Sequence, residues 1–209
     1  MRGLLLSFEG LDGTGKSTQL RLTADWLRSR GHQVAIYREP GGSGISEAIR
    51  ALLLDPAHTA MAGETELLLY TAARVQLLRE RVLPDLEAGR TVLLDRFADS
   101  TTAYQGHGRG LPLELVAELN ALVRRLAWPR RTFWLDLPVA EALARCGGHD
   151  RLEQAGADFF ARVAEGYGLI HAAEPGRVAR IDAAGAPAEV FARIEAELAR
   201  LPAGGKEFA

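Results

Sequence analysis

Lysine is almost missing from this chain. Only Lys16 and Lys206 occur in 209 residues, and arginine and histidine carry the remaining basic positions. That scarcity reads first as a compositional bias, but it excludes an N-K-x-D guanine reader and with it the usual GTP-dependent switch. It also makes Lys16 conspicuous, since arginine was acceptable almost everywhere else. Cysteine is nearly as rare: Cys146 stands alone, so there is no internal disulfide and no cysteine cluster for zinc. Without a visible histidine and acid partner, Cys146 reads as incidental rather than nucleophilic. No apolar run reaches the length of a membrane span, and the first residues lack a charged-then-apolar leader. A cytoplasmic location with no membrane partner is therefore expected. The net charge of -2 supplies no basic field that would draw nucleic acid. With 47% hydrophobic and 25% charged residues, the chain has ordinary globular composition and enough length for one good core. One domain is expected over 1–202, with a loose tail over 203–209.

What is present alternates between two periodicities. Leu4, Leu5, Leu6 and Phe8 form a short apolar run that reads as a buried strand. An amphipathic helix is expected over 15–30, on the stripe Leu20, Leu22, Trp26 and Leu27, with Gly31 as its stop. Further strands are expected at "QVAIYRE", "TVLLD", "RTFWLDL" and "RVARIDA". Helices are expected over 43–54, 64–87, 113–126, 139–145, 156–173 and 186–201. Alternating strands and helices predict a parallel sheet covered on both faces. Ligands of such sheets bind at the carboxyl ends of the strands, where Gly10, Glu39, Asp95 and a short lid around "CGGHD", about 145–153, converge.

The first strand runs into "GLDGTGKST", which fits G-x-x-x-x-G-K-[ST] between a strand and a helix. In that context backbone N–H groups point into the turn and the helix offers its positive end. Gly10, Leu11, Asp12, Gly13, Thr14, Gly15, Lys16, Ser17 and Thr18 are thus expected to hold a nucleoside triphosphate, with Lys16 a point charge on its terminal phosphates. Ser17 is expected to complete a magnesium shell, together with Asp95 at the end of the third strand. An acceptor site is sought beside it, because phosphoryl transfer needs alignment and cations. Arg38 and Glu39 end the second strand, Arg50 lies on the next helix, and Tyr70 and Arg74 share a helix face. Asp95, Arg96, Asp99, Thr101, Tyr104 and Gln105 follow the third strand. Each admits a plain reading: Tyr70 as core packing, Arg50 as a solvated helix residue. Together, several arginines and an aromatic ring suit a nucleoside monophosphate. His107 and His149 read as loop histidines near this site.

The blocks "FEGLDGTGKSTQ", "REPGG", "AARVQL", "DRFADSTTAYQGHGRGL" and "DRLE", followed by "FF" and V-x-x-G-Y, closely resemble the bacterial thymidylate kinases in order and spacing. The likeness spans about residues 3–200. It implies a P-loop nucleoside monophosphate kinase-like α/β fold: a five-stranded parallel sheet with helices on both faces and a short lid. It further implies ATP-dependent phosphorylation of dTMP to dTDP with magnesium, in a homodimer. By the resemblance Tyr70 stacks on thymine, Arg74 contacts the base, Thr101 and Gln105 read its edge, and Tyr104 crowds the sugar's 2′ position. Arg50 and Arg96 match acceptor-phosphate contacts, Asp12 lies near the reacting phosphates, and Glu39 is placed to order magnesium or its water. The chain departs from the family where a transition-state arginine is due. Some relatives carry one in the glycine loop, where this chain has Gly13; others have an arginine-rich lid, where it has only Arg145 and Arg151. Arg145, Arg151 or Arg96 then supplies that charge, and Arg151 has adenine stacking as a second reading. Two other readings stay open: a kinase of another nucleoside monophosphate or of a deoxynucleoside, and a non-catalytic nucleotide-binding switch.

Overall fold

A computed structural model describes residues 2–145 and 156–201. Cys146, His149, Arg151 and most of the expected lid lie outside the described residues, as does the tail. Five strands form one parallel sheet in the order β2-β3-β1-β4-β5. They are β1 Leu5–Glu9, β2 Val34–Arg38, β3 Thr91–Asp95, β4 Arg131–Asp136 and β5 Val178–Asp182. Strand side chains alternate between faces, and the buried residues divide accordingly. Leu6, Phe8 and Leu93 join one core cluster with Leu20, Ala24 and Leu27 of helix α1 (Lys16–Ser29) and Val190 and Ile194 of α9 (Pro187–Leu198). Leu5, Val92 and Leu94 join a second cluster with Leu77, Leu78, Val82 and Leu86. The sheet is covered on both faces.

The second strand is half exposed along its length because it lies at one edge of the sheet. In α1 the buried stripe runs through Gln19, Leu20, Thr23, Ala24 and Leu27, while Leu22 and Trp26 are only partly covered. The apolar pattern placed the helix correctly but rotated its inner face, which carries Gln19, Thr23 and Ala24 in place of Leu22 and Trp26.

One expected helix is less regular than its pattern predicts, and one helical segment, after β3, was not expected at all. The expected helix over 64–87 is α3 (Gly63–Leu77), a π-helical turn over Leu78–Val82, and α4 (Leu83–Glu87). Pro84 lies just past the widened turn. A proline has no N–H for the i−4 carbonyl and crowds it, which a π turn accommodates. After β3 the chain forms α5 (Ala98–Thr101) and a second π-helical stretch, Thr102–Gly108. His107 belongs to this stretch and packs on Gly166 of α8 (Ala157–Ala173), so it is no loop histidine. The remaining helices are α2 (Gly44–Leu54), α6 (Leu113–Arg124) and α7 (Val139–Ala144).

Candidate active site

The glycine loop leaves β1 at the centre of the sheet and enters α1 through Gly15, whose φ of 89° is left-handed. Gly13 is also left-handed (φ 79°), and a Cβ there would meet the carbonyl oxygen of Ala142 at 2.3 Å and Cβ of Arg145 at 3.0 Å. Any larger residue at 13 would therefore push α7 off the loop, a loop arginine included. Contact with α7 is the physical reason this position is glycine.

The Lys16 ammonium lies over the loop, donating to the carbonyls of Leu11 (2.7 Å) and Gly10 (3.2 Å), with Asp12 Oδ1 at 3.5 Å. Burial, with Arg96 adding to it, lowers its pKa against the pull of Asp12 and Asp95. Burial alone would raise the Asp12 carboxyl, but Arg96 and Lys16 outweigh it and hold Asp12 well below the usual carboxylate range. Ser17 donates its hydroxyl to Asp95 Oδ2 at 3.0 Å. One cleft is bordered by Asp12, Gly13, Gly15, Lys16, Ser17 and Thr18 together with Arg38, Glu39, Arg50, Asp95, Arg96 and Arg145. Gly10, Leu11 and Thr14 shape the loop from behind. The Leu11 side chain is in the core, and the Thr14 hydroxyl bonds the Leu11 carbonyl.

Next to this cleft lies a pocket lined by Tyr70, Arg74, Thr101, Tyr104 and Gln105, with Pro40, Leu54 and Ser100 as further walls. Asp12, Glu39, Arg50 and Arg96 border both spaces. Arg74 is almost fully buried. Its Nε donates to Glu39 Oε2 at 2.5 Å, Nη1 to Thr101 Oγ1 at 2.9 Å and Nη2 to the Phe97 carbonyl at 3.1 Å. Burial raises the Glu39 carboxyl to about 7, with Arg74 opposing it, and Glu39 Oε1 finds no hydrogen-bond partner among the described residues. Arg96 adopts φ 69°, a conformation that costs an L-residue roughly 1–2 kcal/mol. The turn aims its guanidinium back at the loop: Nη2 reaches Asp12 Oδ1 (2.7 Å) and the Tyr104 hydroxyl (3.3 Å), while Nη1 reaches the Gly10 carbonyl (3.0 Å). Arg50 donates to the Pro40 carbonyl at 2.9 Å.

Two buried carboxylates behind this site, Glu9 and Glu66, were not among the residues expected from the sequence. Glu9, the last residue of β1, accepts the backbone N–H groups of Phe97 (2.7 Å) and Ser100 (3.3 Å) and the hydroxyls of Ser100 and Tyr167. It thus caps α5, whose first N–H groups lack intrahelical partners. Burial and then the charge of Asp99 raise its carboxyl to about 7. An acid closing an otherwise apolar strand was a visible signal. Glu66, in the first turn of α3, is 1% exposed and gave none, because an acid there resembles an ordinary solvated helix start.

A donor-lined glycine loop opening onto a second, arginine-rich pocket can align two phosphorylated molecules end to end. The comparisons with known proteins agree. The family model described as thymidylate kinase matches residues 8–194. A thymidylate kinase of Desulforudis audaxviator is 47% identical, covering 98% of this chain and 96% of its own. One of Chlorobaculum parvum is 43% identical over 97% of this chain and all of its own. The crystal structure of the Ehrlichia chaffeensis thymidylate kinase superposes with a TM-score of 0.77 at 31% identity, covering 95% of this chain and 99% of that one. The chain belongs to the thymidylate kinase family.

Proposed function

We infer that the protein transfers the terminal phosphoryl group of ATP to dTMP, giving ADP and dTDP. The observation that carries this is the pair of adjoining spaces bridged by Asp12, Glu39, Arg50 and Arg96. The phosphate of a monophosphate seated beside Tyr70 would lie at the mouth of the glycine loop. Lys16 and the loop N–H groups neutralise the terminal phosphates of ATP, Arg50 and Arg96 hold the dTMP phosphate, and Asp12 keeps Arg96 and Lys16 in place. Such a reaction needs alignment and charge neutralisation more than a strong base. Ser17 and Asp95 present oxygen donors 3.0 Å apart, which suits magnesium held chiefly by phosphates and water. Magnesium bound there would screen the charge of the phosphates. Tyr70 stacks on the base, Arg74 with Thr101 and Gln105 faces its edge, and Tyr104 crowds the 2′ position.

Arg145 borders the phosphate cleft, as Arg96 does, and is the described lid-side cation for the transferring group, with Arg151 its alternative. A homodimer through α2 and α3 and a cytoplasmic location complete the reading; among the described residues no helix is long and apolar enough to cross a membrane. The test is stoichiometry. With ATP and magnesium, each dTMP consumed should yield one ADP and one dTDP, and ATP loss independent of dTMP would sink the assignment.

A further inference from the structure

Glu66 is 1% exposed, and the dTMP pocket is lined without it. A buried carboxylate is costly unless paired, and Glu66 is paired on two sides. Arg109 brings Nη2 to Oε2 at 3.1 Å and Nε to Oε1 at 3.3 Å, and Gln105 donates Nε2 to Oε1 at 2.8 Å. Gln105 is itself buried and lines the pocket.

A side-chain amide has a donor end and an acceptor end, whereas a carboxylate paired with arginine only accepts. The Gln105 nitrogen must therefore face Glu66, leaving its carbonyl oxygen Oε1 for the pocket. Arg74, on the same wall, has donors only. Resting on the dTMP reading above, we propose that Glu66 is a positioning residue that fixes the Gln105 amide and so makes the pocket select for a pyrimidine protonated at N3. Thymine and uracil offer an acceptor at O4 and a donor at N3, which complement Arg74 and Gln105. Cytosine offers the reverse at both positions and leaves the pocket's buried groups mispaired. A site built around such hydrogen bonds rejects the mismatched analogue strongly.

The test is the ratio of kcat/KM on dTMP to kcat/KM on dCMP, at saturating ATP and magnesium, in wild type and in Glu66→Gln. Arg109, a donor, would hold the oxygen of the new amide and turn its nitrogen toward Gln105, which must then flip. The ratio is expected to fall about tenfold or more, because one polar pair is inverted. In Glu66→Asp, which keeps an acceptor-only group, the ratio should stay within about threefold of wild type. A merely structural role would lower both substrates alike, and an unchanged ratio in Glu66→Gln overturns the proposal. So does an equal collapse in both variants. Independently of any variant, wild-type protein crystallised with dTMP should keep Gln105 Nε2 on Glu66 while Oε1 meets thymine N3; an amide turned away from Glu66 overturns the proposal. Wild type inactive on dTMP would instead defeat the substrate assignment, a separate and distinguishable result.

Discussion

Lys16 illustrates how much one residue can disclose. Its rarity drew attention in the sequence, and in the structure its ammonium rests on loop carbonyls at the base of the cleft. Lys16→Ala should lower kcat about 100-fold or more, as loss of other preorganised electrostatic contacts does, while the melting temperature stays close to wild type. Near-normal turnover in the folded variant would contradict the triphosphate site. Arg145 was one of two lid arginines the sequence offered, and the "DRLE" block favoured the other, Arg151, which lies outside the described residues. Arg145 borders the cleft while remaining half exposed, with Glu141 no nearer than 3.9 Å, so it is not committed to a tight ion pair. Arg145→Ala should lower kcat and kcat/KM together, on the order of 100-fold, the signature of a contact made in the transition state. A raised KM for ATP with unchanged kcat would give it a binding role instead. The reasons for Gly13 and Glu66 were illegible in the sequence, because both depend on neighbours far along the chain: the Ala142 carbonyl for one, Gln105 and Arg109 for the other.

At the scale of elements, the strands and most helices were legible because apolar runs and amphipathic stripes report burial directly, but the helical segment over 98–108 was missed. The two π-helical stretches were not legible either. Pro84 follows the first, and Gly106 and Gly108 of the second lie close against Leu113 and Phe159, features that apolar periodicity does not encode. The helix carrying Thr101, Tyr104 and Gln105 is anchored by Glu9 at its start. Because burial raises the Glu9 carboxyl from 4.5 to about 7, the folded protein binds its proton more tightly than the unfolded chain. This contribution to stability is full below pH 4.5 and is lost as pH rises through about 7. Glu9→Gln should therefore flatten the fall in stability across that window relative to wild type, as read by denaturant melts at a series of pH values. Parallel curves for the two proteins would show that Glu9 does not titrate there. Glu39 shifts in the same direction but is present in both proteins and cancels in the comparison. Gly13→Ala tests a second junction between elements. Its left-handed φ alone makes alanine cost about 1–2 kcal/mol, and the contact with α7 adds to this. Both melting temperature and turnover should fall, and unchanged values would mean that α7 does not press on the loop.

For the whole molecule, the sheet edge that gathers the site follows from the strand order, with the glycine loop leaving the central strand β1. Quaternary structure leaves a fainter mark. Ile45 and Leu52, seven residues apart on one face of α2, are 57% and 47% exposed, and Leu68 of α3 is 56% exposed. Single exposed leucines are ordinary, so the sequence alone did not define an interface. Their placement on neighbouring helices makes this face the candidate surface of the proposed homodimer: wild type is expected to sediment as a dimer and a Leu52→Glu, Leu68→Glu double variant as a monomer, and a monomeric wild type would contradict this. The central claim concerns the substrate, and steady-state kinetics over a panel of acceptors tests it most directly. The panel comprises dTMP, dUMP, dCMP, dAMP, dGMP, UMP and thymidine, with ATP and magnesium held saturating. The roles proposed for Arg74 and Gln105 at the base edge, Tyr104 at the sugar and Arg50 and Arg96 at the acceptor phosphate predict the highest kcat/KM on dTMP, little turnover of dCMP or UMP, and none of thymidine, which brings no phosphate. A higher kcat/KM on any other member of the panel would contradict the account.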